Sequence, residues 1–289
     1  MKVISFGDSY TSGVGTDRVK EQEIKDSNNT NKDTARDLYQ EFTTSHSFTR
    51  YFADKLKLEW INKGEPGCSN RDIVTNIFQY YADRFFTKGD IVLVSFSSTL
   101  RDQFPFFPIL KEKQWKGISW NVKDIFEPLK DVRSYEEFKK SANRNDLLGL
   151  SVNPENISTG FFMNEYKKFF LTEMFDYRYF DFFNFNMIAL LQEFFDFIEV
   201  DYILIDAFEP SFYGSTYDKR ELIEKYAHYW KYNEHSIFSY LEQYEDSDLF
   251  ELDGYASTSS VAAKHPSKKG NKLFANSLHK HYIRTRDID

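Results

Sequence analysis

Residues 2–13 read Lys2-Val-Ile-Ser-Phe-Gly-Asp-Ser-Tyr-Thr-Ser-Gly13, a short apolar run that ends in the tripeptide Gly7-Asp8-Ser9. Val3, Ile4 and Phe6 predict a buried strand, Gly7 a tight exit, and Gly13 and Gly15 a following loop free of side-chain obstruction. A serine placed there faces the crevice beyond the carboxyl end of the strand, where open α/β sheets bind their ligands. Taken alone, the tripeptide reads more simply as a strand-to-loop turn capped by Asp or Ser. Support has to come from elsewhere in the chain.

It comes from the far end, in His265-Pro266-Ser267-Lys268-Lys269-Gly270, followed by Leu273, Phe274, Ala275 and Leu278 at helical spacing. A hydroxyl is a poor nucleophile near neutral pH and needs a positioned base, so a catalytic serine predicts a histidine somewhere in the sequence. Pro266 disfavours helix at His265 and suits a helix that begins just after it, which predicts an imidazole on a loop. The other histidines, His46, His228, His235, His279 and His281, read as ordinary surface or core residues.

With these two ends quoted, the chain resembles the GDSL/SGNH hydrolase superfamily, which carries four short blocks. The first, with the nucleophile, is matched by Gly7 to Gly13. The second supplies a glycine amide to the oxyanion and is similar to Asn62-Lys-Gly64-Glu-Pro-Gly67-Cys-Ser-Asn70, which implies Gly67 in that role with Asn70 beside it. The third, normally Gly-x-Asn-Asp after an apolar strand, corresponds to Ile91-Val-Leu-Val94-Ser-Phe-Ser97-Ser-Thr99-Leu-Arg101, with Thr99 where the family has Asn. The last, normally Asp-x-x-His, has Ala262 three residues before His265. Arg101 offers five donors and a permanent charge, so it is a candidate to replace the missing Asn, and its plainer role is an ion pair with Asp102 or another carboxylate. In place of the missing Asp, a backbone carbonyl or a carboxylate from another loop would orient His265, and Asp253 is the nearest preceding acid.

What the resemblance implies is acyl transfer. Ser9 attacks an ester carbonyl while His265 takes its proton, and the amides of Ser9 and Gly67, with Arg101 or Thr99, meet the oxyanion. One such donor is worth about 10²–10³ in rate. Asp8 reads as a residue that organises the loop through local amides. Cys68, next to Gly67, is a rival nucleophile on paper, although a free cysteine is most often a small buried hydrophobe.

Composition bounds the rest. A chain of 289 residues with 41% hydrophobic content can bury a large core, and its formal net charge of −8 disfavours a nucleic-acid-binding surface. One cysteine excludes an internal disulfide and fits a reducing compartment. No charged-then-apolar leader precedes the first strand and no uncharged run approaches spanning length, so a cytoplasmic protein without membrane contact is expected. No cofactor and no metal are expected.

Apolar runs at 2–6, 58–62, 90–96 and 201–207, with a weaker one near 249–252, predict strands, and helical spacing covers 46–57 and 70–86. The expected fold class is α/β, a doubly wound, mainly parallel sheet of the flavodoxin-like three-layer kind, in one domain over 1–289. Two insertions are expected. The polar stretch 17–45 reads as a solvated surface loop or marginal helix, and 103–199 as an aromatic-rich helical insertion whose first part, Phe104 to Trp120, lines the mouth of the site. Three functions remain open at this stage: an esterase or deacetylase acting on a small or carbohydrate O-acyl ester, a non-catalytic binding or structural protein on the same scaffold, and an acyltransferase.

Overall fold

The computed structural model describes residues 1–27, 32–97, 101–104, 118–121, 177–207, 236–252 and 264–286. Its centre is a parallel sheet in the order β2-β1-β3-β6, formed by β1 (Lys2–Gly7), β2 (Glu59–Gly64), β3 (Ile91–Phe96) and β6 (Asp201–Asp206). β1 lies between β2 and β3, with Val3 opposite both Trp60 and Ile91, and β3 passes the register on to β6 through Val92 and Tyr202. β1 and β3 are near-continuous apolar runs because both of their faces are covered. β2, at the edge, tolerates Glu59 and Lys63 in exposed positions.

Strand alternation divides the core in two. Val3, Ile91, Leu93, Ile203 and Ile205 face one way, toward Phe48, Phe52, Phe274 and Leu278 of α4 (Phe48–Leu56) and α8 (Lys268–Arg286). Ile4, Phe6, Val92, Val94 and Leu204 face the other way, toward Ile73, Ile77, Leu191 and Phe195 of α5 (Asn70–Ala82) and α6 (Tyr177–Phe197). The aromatic rings interlock edge to face, Phe48 with Phe274 at 5.2 Å and Phe6 with Tyr80 at 5.5 Å between centroids. Fully buried rings of this size each stabilise the fold by about 3–5 kcal/mol against truncation to Ala. The protein is therefore an α/β three-layer sandwich with helices on both faces of a parallel sheet. At the amino edge, the buried carboxylate of Asp90 accepts from the Lys2 and Thr87 amides and pairs with Lys2 Nζ at 3.0 Å, fixing the start of β1 against β3.

The structure refines four expectations. Of the two alternatives for the polar stretch 17–45, a loop or a marginal helix, it adopts the helical one, as α2 (Arg18–Ser27) and α3 (Lys32–Ser45), which pack on one another. Its composition reported a solvated surface, and a helix that buries only one narrow face needs few apolar residues. Secondly, the end of the expected helical insertion is α6, whose Ile188, Leu191 and Phe195 pack on the sheet. Earlier in that span, β4 (Arg101–Phe104) and β5 (Ile118–Asn121) form an antiparallel pair, and 105–117 and 122–176 lie outside the described residues. Thirdly, the weak strand near 249–252 exists as β7 (Phe250–Leu252), yet it pairs antiparallel with β8 (Lys264–Pro266) outside the main sheet. Lastly, His265 sits on that short β8 and not on a loop, directly opposite Glu251. Pro266 is compatible with a strand at the edge of a two-stranded ribbon, where its missing N–H costs little.

Candidate active site

Ser9 opens α1 (Ser9–Ser12), a single turn at the carboxyl end of β1. Asp8 caps it, its Oδ1 accepting from the Tyr10 amide at 3.0 Å, and Gly13 closes it in the left-handed region at φ 78°. The serine carbonyl receives the Gly13 amide, the Val14 amide at 3.2 Å and the Ser12 hydroxyl at 3.0 Å. Three donors on one carbonyl leave the Ser9 backbone little freedom. A Cβ on Gly7 would fall 2.1 Å from Thr11 Oγ1 and 2.8 Å from the Ser95 carbonyl, so only glycine lets the chain turn out of the sheet this closely.

The same requirement holds at Gly13, where a Cβ would sit 2.3 Å from the Thr43 carbonyl in a backbone conformation already unfavourable for L residues. Gly13→Ala is expected to destabilise the protein by at least about 2 kcal/mol, read as a lower midpoint in urea unfolding.

His265 reaches this turn from 256 residues away. Its Nε2 lies 3.0 Å from Ser9 Oγ, and both side chains are almost closed off, at 7% and 8% exposure. Tyr10 secures the approach: its ring stands 5.5 Å from the imidazole and its hydroxyl donates to the Lys264 carbonyl at 2.6 Å. The residue after the serine thus holds the residue before the histidine. On the far side, Asn271 Nδ2 donates to the carbonyls of Pro266 and Ser267, and its Oδ1 accepts from the Phe48 amide, so the turn after His265 is tied to α4. Tyr10→Phe keeps the ring and removes the tether. Turnover is expected to fall about 10-fold at nearly constant KM, with a stability loss of about 1–3 kcal/mol, checked by steady-state kinetics and thermal unfolding.

The segment after β2 is drawn to the same edge. The Glu65 amide donates to the Gly7 carbonyl at 2.9 Å, and Asn62 Nδ2 donates to the Thr11 carbonyl at 2.6 Å. Gly67 follows at φ 84°, with nothing within 4 Å of where its Cβ would be. Asn70 is buried with its amide spent on the backbone of Ser97, accepting from its N–H at 2.7 Å and donating to its carbonyl at 3.2 Å. That places Asn70 as a brace between α5 and the end of β3. The Ser97 hydroxyl is buried there with no hydrogen-bond partner among the described residues. Burial first, then the carboxylate of Glu65, pushes the Cys68 thiol well above its usual range, which disfavours the thiolate there.

Arg101 is described by its backbone alone, as the first residue of β4, and Thr99, Asp253 and Ala262 lie outside the described residues. Among the described residues no cluster of His, Cys, Asp or Glu could hold a metal ion, and no helix is long and apolar enough to cross a membrane. Tyr10, Glu21 and Asn271 went unnoticed in the sequence. For Tyr10 the only available signal was adjacency to Ser9, and the other two carried none.

What fold and site define is an α/β protein with a buried Ser–His pair at the carboxyl edge of its parallel sheet. No family model matches the chain, and no curated protein gives a significant match. Two solved structures are similar to it. One is a protein assigned to the G-D-S-L family of lipolytic proteins from Desulfitobacterium hafniense DCB-2, at 15% identity and TM-score 0.38, covering 97% of this chain and 98% of that one. The other is a member of the lipolytic G-D-S-L family from Veillonella parvula DSM 2008, at 13% identity and TM-score 0.39, covering 98% and 99%. At these TM-scores the likeness adds nothing to what the chain's own geometry carries.

Proposed function

We propose that this protein is a serine hydrolase of the SGNH type, an esterase or deacetylase that transfers a small O-acyl group to water. The observation that supports the reading is the 3.0 Å contact between Ser9 Oγ and His265 Nε2, made by two residues from opposite ends of the chain. In this mechanism neutral His265 accepts the Ser9 proton on Nε2 as Oγ attacks the ester carbon, and the carbonyl becomes an oxyanion. The leaving alcohol takes the proton from Nε2 as the ester C–O bond breaks. Water then repeats the sequence on the acyl-serine, giving the acid and free Ser9.

Ser9 and Gly67 supply oxyanion amides in this reading, Arg101 or Thr99 the further donor, and Asp253 the carboxylate that orients the imidazole. The near-closure of Ser9 and His265 favours a small acyl group over a long chain. No cofactor takes part. Thr99 and Ala262, standing where the family has Asn and Asp, favour the rival reading of a non-catalytic binding protein. Labelling with a fluorophosphonate decides between them, since only an activated serine reacts. Stoichiometric modification of Ser9 is expected, and an unlabelled Ser9 in folded protein would overturn the hydrolase reading.

A further inference from the structure

Beyond the Ser–His pair, one buried carboxylate sits where no catalytic role has been assigned to it. Glu21, on α2, is 4% exposed. Its Oε1 accepts from the Gly15 amide at 2.8 Å and its Oε2 from the Tyr39 hydroxyl of α3 at 2.9 Å. The loop it grips, 13–16, is bonded at both ends to the candidate machinery. Toward Ser9, the Gly13 and Val14 amides donate to the Ser9 carbonyl, and the Thr16 amide and hydroxyl both donate to the Gly13 carbonyl. Toward His265, the Thr16 carbonyl accepts from the Lys268 amide at 3.2 Å, three residues beyond the imidazole.

We infer that Glu21 is a positioning residue for the Ser9–His265 pair, and that the α2–α3 hairpin serves as the outer brace of the site. The inference rests on the hydrolase reading for its kinetic consequence, and on geometry alone for the clamp itself. A loop containing two glycines at positive φ, Gly13 and Gly15, has high intrinsic freedom. One hydrogen bond from the Gly15 amide ties the loop to a buried carboxylate that the Tyr39 hydroxyl holds in turn, and such charge-assisted bonds are stronger than neutral ones. Displacing a nucleophile by about 1 Å is enough to cost about 10²-fold in rate without touching substrate affinity.

The test compares Glu21→Gln, Glu21→Ala and Tyr39→Phe with wild type in two measurements: hydrogen exchange of the Gly15 and Thr16 amides, and kcat and KM on a short-chain aryl ester. Glu21→Gln retains an acceptor for Gly15 and is expected to keep slow exchange and a kcat within about 3-fold of wild type. Glu21→Ala is expected to speed exchange at Gly15 at least about 10-fold and to lower kcat about 10- to 100-fold at unchanged KM. Tyr39→Phe, which leaves no cavity and tests the clamp if Glu21→Ala unfolds, should lower kcat by a smaller factor. Wild-type kcat in Glu21→Ala, or unchanged Gly15 exchange, overturns the inference. Should wild type neither hydrolyse ester nor label at Ser9, the hydrolase reading fails, and the brace is then decided by Gly15 exchange alone.

Discussion

Ser9→Ala is expected to lower turnover of a short-chain aryl ester by about 10⁴- to 10⁶-fold and to abolish fluorophosphonate labelling, while leaving the fold intact. In the proposed mechanism the Ser9 hydroxyl oxygen forms the acyl bond, and alanine has no atom to take its place. What remains in the variant is the oxyanion site acting on water, which sustains a small residual rate. The structural cost is small, because among the described residues the deleted oxygen is hydrogen-bonded to His265 Nε2, and losing one hydrogen bond is worth about 1 kcal/mol. An unfolding midpoint near wild type together with the activity loss separates chemistry from misfolding. Undiminished turnover in Ser9→Ala would show that any esterase activity arises elsewhere.

The second large effect belongs to His265. His265→Gln preserves much of the side-chain volume against Tyr10 and leaves a polar group facing Ser9 Oγ, yet an amide cannot accept the serine proton. Turnover is expected to drop about 10⁴-fold. Because the two residues act as one unit, the double variant Ser9→Ala with His265→Gln should be no slower than Ser9→Ala alone. Kinetics on the two single variants and the double variant check this. Additive losses would mean that the pair does not share a proton, and the mechanism would have to be abandoned.

Much of this site was legible in the primary structure because the two side chains that meet there, Ser9 and His265, sit in short local motifs. Gly7-Asp8-Ser9 after an apolar run marks a turn out of a strand, and His265-Pro266 before a helical pattern marks a boundary. For 17–45 the sequence left a loop and a marginal helix equally open. Glu21 there looks like one more acid in Lys20-Glu21-Gln22-Glu23, and only its burial against Gly15 and Tyr39 distinguishes it. Tyr10 likewise looks like another apolar ring, and its hydroxyl acquires meaning from a carbonyl 254 positions away. Asn70, expected near substrate, hydrogen-bonds through its side-chain amide to the Ser97 backbone, a contact that only the folded chain reveals.

The central strands could be read from local sequence, since parallel strands buried on both faces are near-continuous apolar runs, as β1 and β3 are but for Ser5 and Ser95, and such runs are visible within a few residues. The sequence by itself also determined the chemistry on offer, a hydroxyl and an imidazole, because residue type sets which atoms can attack and which can take a proton. Only the tertiary structure decided that these two atoms meet at 3.0 Å, that β7 and β8 form their own ribbon, and that a polar hairpin braces the serine loop. Those are contacts between residues far apart in the chain. Local periodicity records which face of an element is buried, but carries no information about which distant group it is buried against.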